Sequence, residues 1–246
     1  MKIKITLVKL GYIEHLVDFR KIENWKSEIF EIIENQCVEH LPEGDITDSY
    51  LDQKFNRENI AEIITQSENS DITVAIMRYR FIDNFYMHRV GGNCVAISLF
   101  GIPEILNIEN ISVENFIIKQ IYEICAIKYL LKEISDDDIY RVVHRDTRGC
   151  LFDMNGDKMD NLYNTEKPII CESCKTKFRE KQVESKIIPV FEKELKRIEK
   201  PLILRIERTI KKYPLISMVI TGLIAVSLSI IANLIYDLIK MTYCIQ

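Results

Sequence analysis

The sequence predicts an α+β fold, a mixed sheet with long helices, followed by a helical stalk and one transmembrane helix. Three observations predict it. Strand-like and helix-like runs succeed one another without regular alternation through the first two thirds of the chain, His and Cys residues gather between positions 144 and 174, and no charge occurs from Tyr213 to Tyr236. The expected organisation is a globular domain over residues 1–178, a basic amphipathic stalk over 179–212, a membrane helix over 213–240 and a short external tail over 241–246.

Periodicity assigns the elements. Strand-like runs lie at Lys2–Lys9, Ile72–Phe81, Phe85–Val90 and Asn93–Phe100, and Gly91-Gly92-Asn93 signals a hairpin turn between the last two. Helical runs lie at Phe19–His40, Arg57–Ser67 and Ser112–Glu133, the last with Ser112 as N-cap. In the stalk, Ile187, Phe191, Leu195, Ile198, Leu202 and Ile206 recur mostly at steps of four, and Pro189 and Pro201 are expected to kink or split the helix.

At 246 residues, with 47% apolar and 28% charged residues, the chain holds one sizeable core plus an appendage and is not a low-complexity or disordered sequence. Its net charge of −4 divides unevenly: residues 1–174 carry −11, residues 175–212 carry +7, and Asp237 and Lys240 cancel beyond. So acidic a main domain excludes a general duplex-nucleic-acid binder, whose affinity comes mostly from phosphate attraction. Seven cysteines, an odd number scattered over a long chain, do not form a secreted disulfide framework. Met1–Lys9 has no apolar run of signal-peptide length. The expectation is a cytosolic domain with reduced thiols, in which Cys37, Cys94 and Cys125 pack in the core.

The 24 uncharged residues from Tyr213 to Tyr236 amount to roughly 36 Å of helix, enough to cross a hydrocarbon layer of about 30 Å. Lys211 and Lys212 precede this segment and only Lys240 follows it, so the positive-inside rule puts the large domain in the cytoplasm of a single-pass membrane protein. Gly222, Ala225, Ser229 and Ala232 share one helical face, and Ser217, Thr221, Ser227 and Asn233 add polar groups. This face predicts self-association through the span; one helix cannot line a channel, so conduction would need a homo-oligomer, a tetramer or larger. For the basic stretch beside the span, a lipid-surface helix and an oligomerising stalk are both compatible with the sequence.

The chemistry concentrates in His144-x5-Cys150-x20-Cys171-x2-Cys174. A Cys-x2-Cys knuckle sets two thiolates on one tight turn, and His144 and Cys150 complete a tetrahedral, structural zinc site with no open position for water. A redox CxxC is the weaker alternative, and His144 has a capping or core role as its alternative. Neither GxGxxG nor GxxxxGK[ST] occurs, which leaves dinucleotide and P-loop chemistry unsupported. The run Ser135–Asp138 reads as a solvated cap, and Asp153-Met-Asn155-Gly-Asp157 lacks the calcium-loop pattern because Asn164 stands where the bidentate Glu belongs.

A long helix followed by this His/Cys loop and a late CxxC resembles the archaemetzincins, metzincin-like peptidases. In that family a HExxH helix carries catalytic zinc, and a Cys cluster binds a second zinc. No HExxH exists here; with Glu123 at the family's glutamate, Tyr122 and Ala126 occupy the two His positions. The resemblance implies a dead peptidase fold that keeps only the structural zinc. Degenerate metzincin-like domains fused to a C-terminal membrane helix also resemble membrane effectors of bacterial anti-phage systems, the Hailong type. That resemblance implies an ion-conducting pore gated by a nucleotide or short oligonucleotide signal from a partner enzyme, without catalysis by this chain. Its binding site is expected among Arg78, Arg80, Arg89, Arg141, Arg145 and Arg148. The alternatives are an anchored protein-binding scaffold and, less favoured, an active metalloprotease.

Overall fold

The computed structural model describes residues 2–42, 45–46, 53–131, 141–200 and 202–243. The run Ser135–Asp138 and Cys244 lie outside them. The chain forms two compact units, Met1–Glu199 and Lys200–Gln246.

In the first unit, β1 (Ile3–Leu10) leads through α1 (Phe19–Glu23) to β2 (Phe30–Val38). Then come β3 (Asp45–Ile46), β4 (Gln53–Phe55), α2 (Arg57–Ile63), β5 (Ile72–Met77), β6 (Arg80–Phe81), β7 (Met87–Gly91) and β8 (Cys94–Ser98). A five-stranded sheet has the order β2-β1-β5-β8-β7, and β3-β4-β6 form a small second sheet. All pairings in the large sheet are parallel except β7 with β8, so the sheet is mixed, as expected. Gly91 and Gly92, at φ +115 and +53, turn that hairpin where a Cβ would be strained.

Helices follow: α3 (Ile102–Ile108), α4 (Val113–Leu131), the single turn α5 (Asn161–Asn164), α6 (Glu172–Glu180) and α7 (Ile187–Leu195). Ser112 caps α4 as expected, its Oγ accepting from Asn115 N at 3.2 Å. Strand alternation sorts the core. Ile5, Leu7, Val74, Ile76, Val95 and Ile97 face α4, while Val8, Leu10, Ala75, Met77 and Ala96 face α2.

Three expectations are corrected. Phe19–His40 is not one helix: α1 stops at Glu23, Ser27 Oγ accepts from the backbone N–H of Ile29 and Phe30, and Phe30–Val38 pairs with β1 as an edge strand. Its β-branched Ile32, Ile33 and Val38 suit a pleated surface, and pairing with a central strand overrides the helical spacing. Cys37 lies exposed on that strand, whereas Cys94 and Cys125 are buried as expected. The compact unit also runs past residue 178 to Glu199, because Phe191, Leu195 and Ile198 pack into the main core. Burial of each such side chain contributes about 1.5–3 kcal/mol, which holds α7 to the domain. Pro189 sits in the first turn of α7, where its missing N–H costs nothing.

The second unit has two helices, α8 (Leu202–Lys212) and α9 (Pro214–Tyr243). Pro214–Tyr236 is long and apolar enough to cross a membrane, and none of it is buried.

Candidate metal centre

The segment 141–154 folds on itself to place two donors. His144 N donates to Phe152 O and Met154 N donates to His144 O, both at 2.8 Å, so His144 lies on a short ladder. Asp153 Oδ2 accepts from Arg148 N at 2.8 Å and Cys150 N at 2.9 Å, tightening the turn that carries Cys150. Gly149, at φ +75, permits that turn. The other two donors come from the start of α6: Cys171 is its N-cap residue and Cys174 lies in its first turn. The free N–H groups there favour thiolates.

The ligand atoms of His144, Cys150, Cys171 and Cys174 all lie within 4.8 Å of one another. His144 Nε2 is 3.1 Å from both Cys171 Sγ and Cys174 Sγ, and Cys150 Sγ is 4.0 Å from Cys174 Sγ. A tetrahedral zinc with bonds of about 2.3 Å to sulfur and 2.0–2.1 Å to nitrogen sets its donors roughly 3.5–3.8 Å apart. The four residues form a compact zinc-binding site as predicted from their spacing. Four protein donors would close the coordination shell of a zinc held there, which would staple the segment carrying His144 and Cys150 to α6. The sulfur contact with Cys174 pushes the Cys150 thiol down, with help from the N–H groups of Cys171 and Phe152, and the same contact pushes Cys174 up. Cys150 and Cys174 are fully buried and His144 nearly so, while Cys171 keeps an exposed edge, where Ser173 Oγ lies 3.0 Å from its sulfur.

A buried polar cluster beside this site escaped the sequence reading. Lys119, Gln120 and Glu123 project from α4 into the core, and Lys119 Nζ pairs with Glu123 Oε2 at 2.8 Å, both side chains at most 2% exposed. Gln120 Nε2 reaches Asn161 Oδ1, which also accepts from Asn155 Nδ2 at 3.0 Å. Asn164 exchanges amide bonds with Asn155 and donates to Cys150 O, joining the cluster to the zinc loop. Lys119-Gln120-x-x-Glu123 has the spacing of the HExxH helix of zinc peptidases. Tyr122 and Ala126, expected at the two His positions, serve packing instead: the Tyr122 hydroxyl donates to Glu194 Oε2 at 2.6 Å and accepts from Trp25 Nε1 at 2.8 Å, and Ala126 is core. Burial holds the Glu123 carboxyl above its ordinary range, with Lys119 pulling the other way. The only signal available was three polar residues interrupting the apolar run Phe116–Ile127.

Over this cluster opens a cleft of about 550 Å³, walled by β7 on one side and by Glu123, Ile124 and Ile127 of α4 on the other. Of the six expected ligand-binding arginines, Arg89 lines it, together with Arg57. Arg141 lines another depression with Lys177. Arg80 lies over the Phe100 ring, Arg78 over Tyr79, Arg148 pairs with Asp146, and Arg145 is exposed on the zinc loop. They do not converge on one site.

In the second unit Ser217, Thr221, Gly222, Ala225, Ser229, Ala232 and Asn233 lie on α9, none of them buried. The hydroxyls of Ser217, Thr221 and Ser227 donate to carbonyls four residues back at 2.8–3.0 Å, so the helix itself satisfies them.

No family model and no curated protein matches the chain. The structure is similar to a crystal structure of archaemetzincin from Methanopyrus kandleri, with 11% sequence identity and a TM-score of 0.44, covering 74% of this chain and 97% of that one.

Proposed function

We propose that this chain is a membrane-tethered zinc protein whose domain binds a partner chain without cutting it. The observation that carries this reading is the Lys119–Glu123 pair: an ammonium and a carboxylate, paired at 2.8 Å, stand four residues apart on the buried helix, the spacing at which a HExxH helix presents its two imidazoles. Among the described residues the one group suited to a metal is the closed four-donor site. The cleft above the pair borders β7, an edge strand, and an edge beside a cleft suits an extended segment added as a further strand. Pro214–Tyr236 would supply the tether, and Lys211 and Lys212 before it favour a cytoplasmic side for the domain. The test is to incubate the zinc-loaded full-length protein with a mixture of extended peptides. Binding without new termini is expected, and chelator-sensitive cleavage would overturn the reading.

A second reading is an oligomeric, pore-forming effector of anti-phage defence in a bacterial inner membrane, gated by a nucleotide or oligonucleotide. The small-residue face of α9 favours it, since such faces let helices approach closely. One helix encloses no path, so this reading needs a tetramer or larger. Light scattering of the detergent-purified chain decides: a monomer would eliminate the pore. An oligomer lost in a G222I/S229I variant, together with nucleotide-dependent conductance in liposomes, would favour it over the scaffold.

A further inference from the structure

The stalk expected over 179–212 does not exist as one element. Phe191, Leu195 and Ile198 turn into the domain core, which leaves eleven residues, Leu202–Lys212, as a separate helix before the apolar segment. Ile203, Ile206 and Ile210 are 70%, 45% and 49% exposed on it. At about 100° per residue they share with Leu202 an arc of roughly 100°, while Arg205, Arg208 and Lys212 fall on the far side and Leu204 stands off the stripe. The helix carries Arg205, Arg208, Lys211 and Lys212 against Glu207 alone, a local +3.

We propose that Leu202–Lys212 lies along the surface of an anionic bilayer, with Ile203, Ile206 and Ile210 set into the headgroup–acyl boundary and its basic side among lipid phosphates. The proposal rests on the membrane-tethered reading. Charge and length both select lipid over a second copy of the chain. Four cations in eleven residues meet attraction at an anionic surface and mutual repulsion between copies. Eleven residues span about 16 Å, well short of the three or four heptads a coiled coil sustains. The junction permits the turn onto the surface: Tyr213 N donates to Thr209 O and Ser217 N to Tyr213 O, but Pro214 between them has no N–H to give, and a missing ladder bond is where helices bend. Lys212 Nζ lies 5.1 Å from the Tyr213 ring centroid, a pairing suited to a membrane interface.

The test uses the full-length protein in vesicles with brominated acyl chains, with and without phosphatidylglycerol, comparing I206W and K211W over the shared Trp25 background. In anionic vesicles the added emission of I206W is expected to shift blue and fall roughly twofold, that of K211W to stay unquenched, and the contrast to shrink without anionic lipid. Blue-shifted but unquenched I206W emission would mean that protein covers the face, and unshifted emission would mean that water does. Equal quenching of both variants would put the helix inside the bilayer. Each of these three overturns the proposal. Protein that fails to float with the vesicles would instead overturn the tethered reading itself.

Discussion

Two helices of similar outward appearance have opposite fates. α4 carries Glu114, Lys119, Gln120 and Glu123, yet all four are buried within the domain core. The first 23 residues of α9 carry no charge, and none of them is buried. Apolar content alone therefore does not decide burial; available partners do. α4 finds partners for its buried charges, Glu114 accepting from Asp18 N at 2.9 Å and Lys119 pairing with Glu123. Pro214–Tyr236 of α9 offers water few polar groups, and three of its hydroxyls are bonded within the helix, so its exposed surface suits a non-aqueous neighbour.

The largest way to break this contrast is to remove the metal. Structural zinc binding in small domains is worth about 10–16 kcal/mol, comparable to the 5–15 kcal/mol total stability of a typical domain. Chelation or C174S should therefore unfold the first unit cooperatively and leave the helical signal of the second, as read by circular dichroism. Next in size is the buried pair. K119M strands a buried carboxylate and should cost about 3–5 kcal/mol, whereas K119M/E123L, which replaces the pair with apolar volume, should be neutral or gain about 1–4 kcal/mol. F191A should cost a similar 3–5 kcal/mol in a melting experiment, because Phe191 belongs to the domain and not to a stalk.

The pair also gives the contrast a pH signature. The folded state holds the Glu123 proton more tightly than the unfolded chain does, because burial raises its carboxyl. Its contribution is therefore fully present below the ordinary carboxylate pKa and is lost as pH rises through the raised folded value. K119M/E123L should flatten that part of the stability–pH curve. The smallest effect belongs to the second unit: E207Q removes the exposed Lys211–Glu207 pair and should change stability by about 0.5 kcal/mol or less.

The same contrast explains what the sequence made legible. Cys-x2-Cys geometry is local, so Cys171 and Cys174 declared themselves, and His144 and Cys150 followed from a tetrahedral count. The uncharged run was legible because a span is read from length and composition. Phe30–Val38 was not, since its spacing fits a helix as well and only β1 alongside decides. Phe191, Leu195 and Ile198 signalled an amphipathic helix correctly but could not say what covers it. Lys119 and Glu123 escaped because a charged pair four apart on a helix ordinarily marks a solvated face. Nor does the sequence show that Gln120 beside them reaches Asn161, and through it Asn155 and Asn164, more than thirty residues away.

Elemental analysis of the purified full-length protein tests the central claim most directly. One zinc per chain, lost in C150S/C174S and kept in K119M/E123L, is the predicted result. Two zincs per chain, with the second lost in K119M/E123L, would contradict it by restoring a metal to the helix that the Lys119–Glu123 pair is held to have closed.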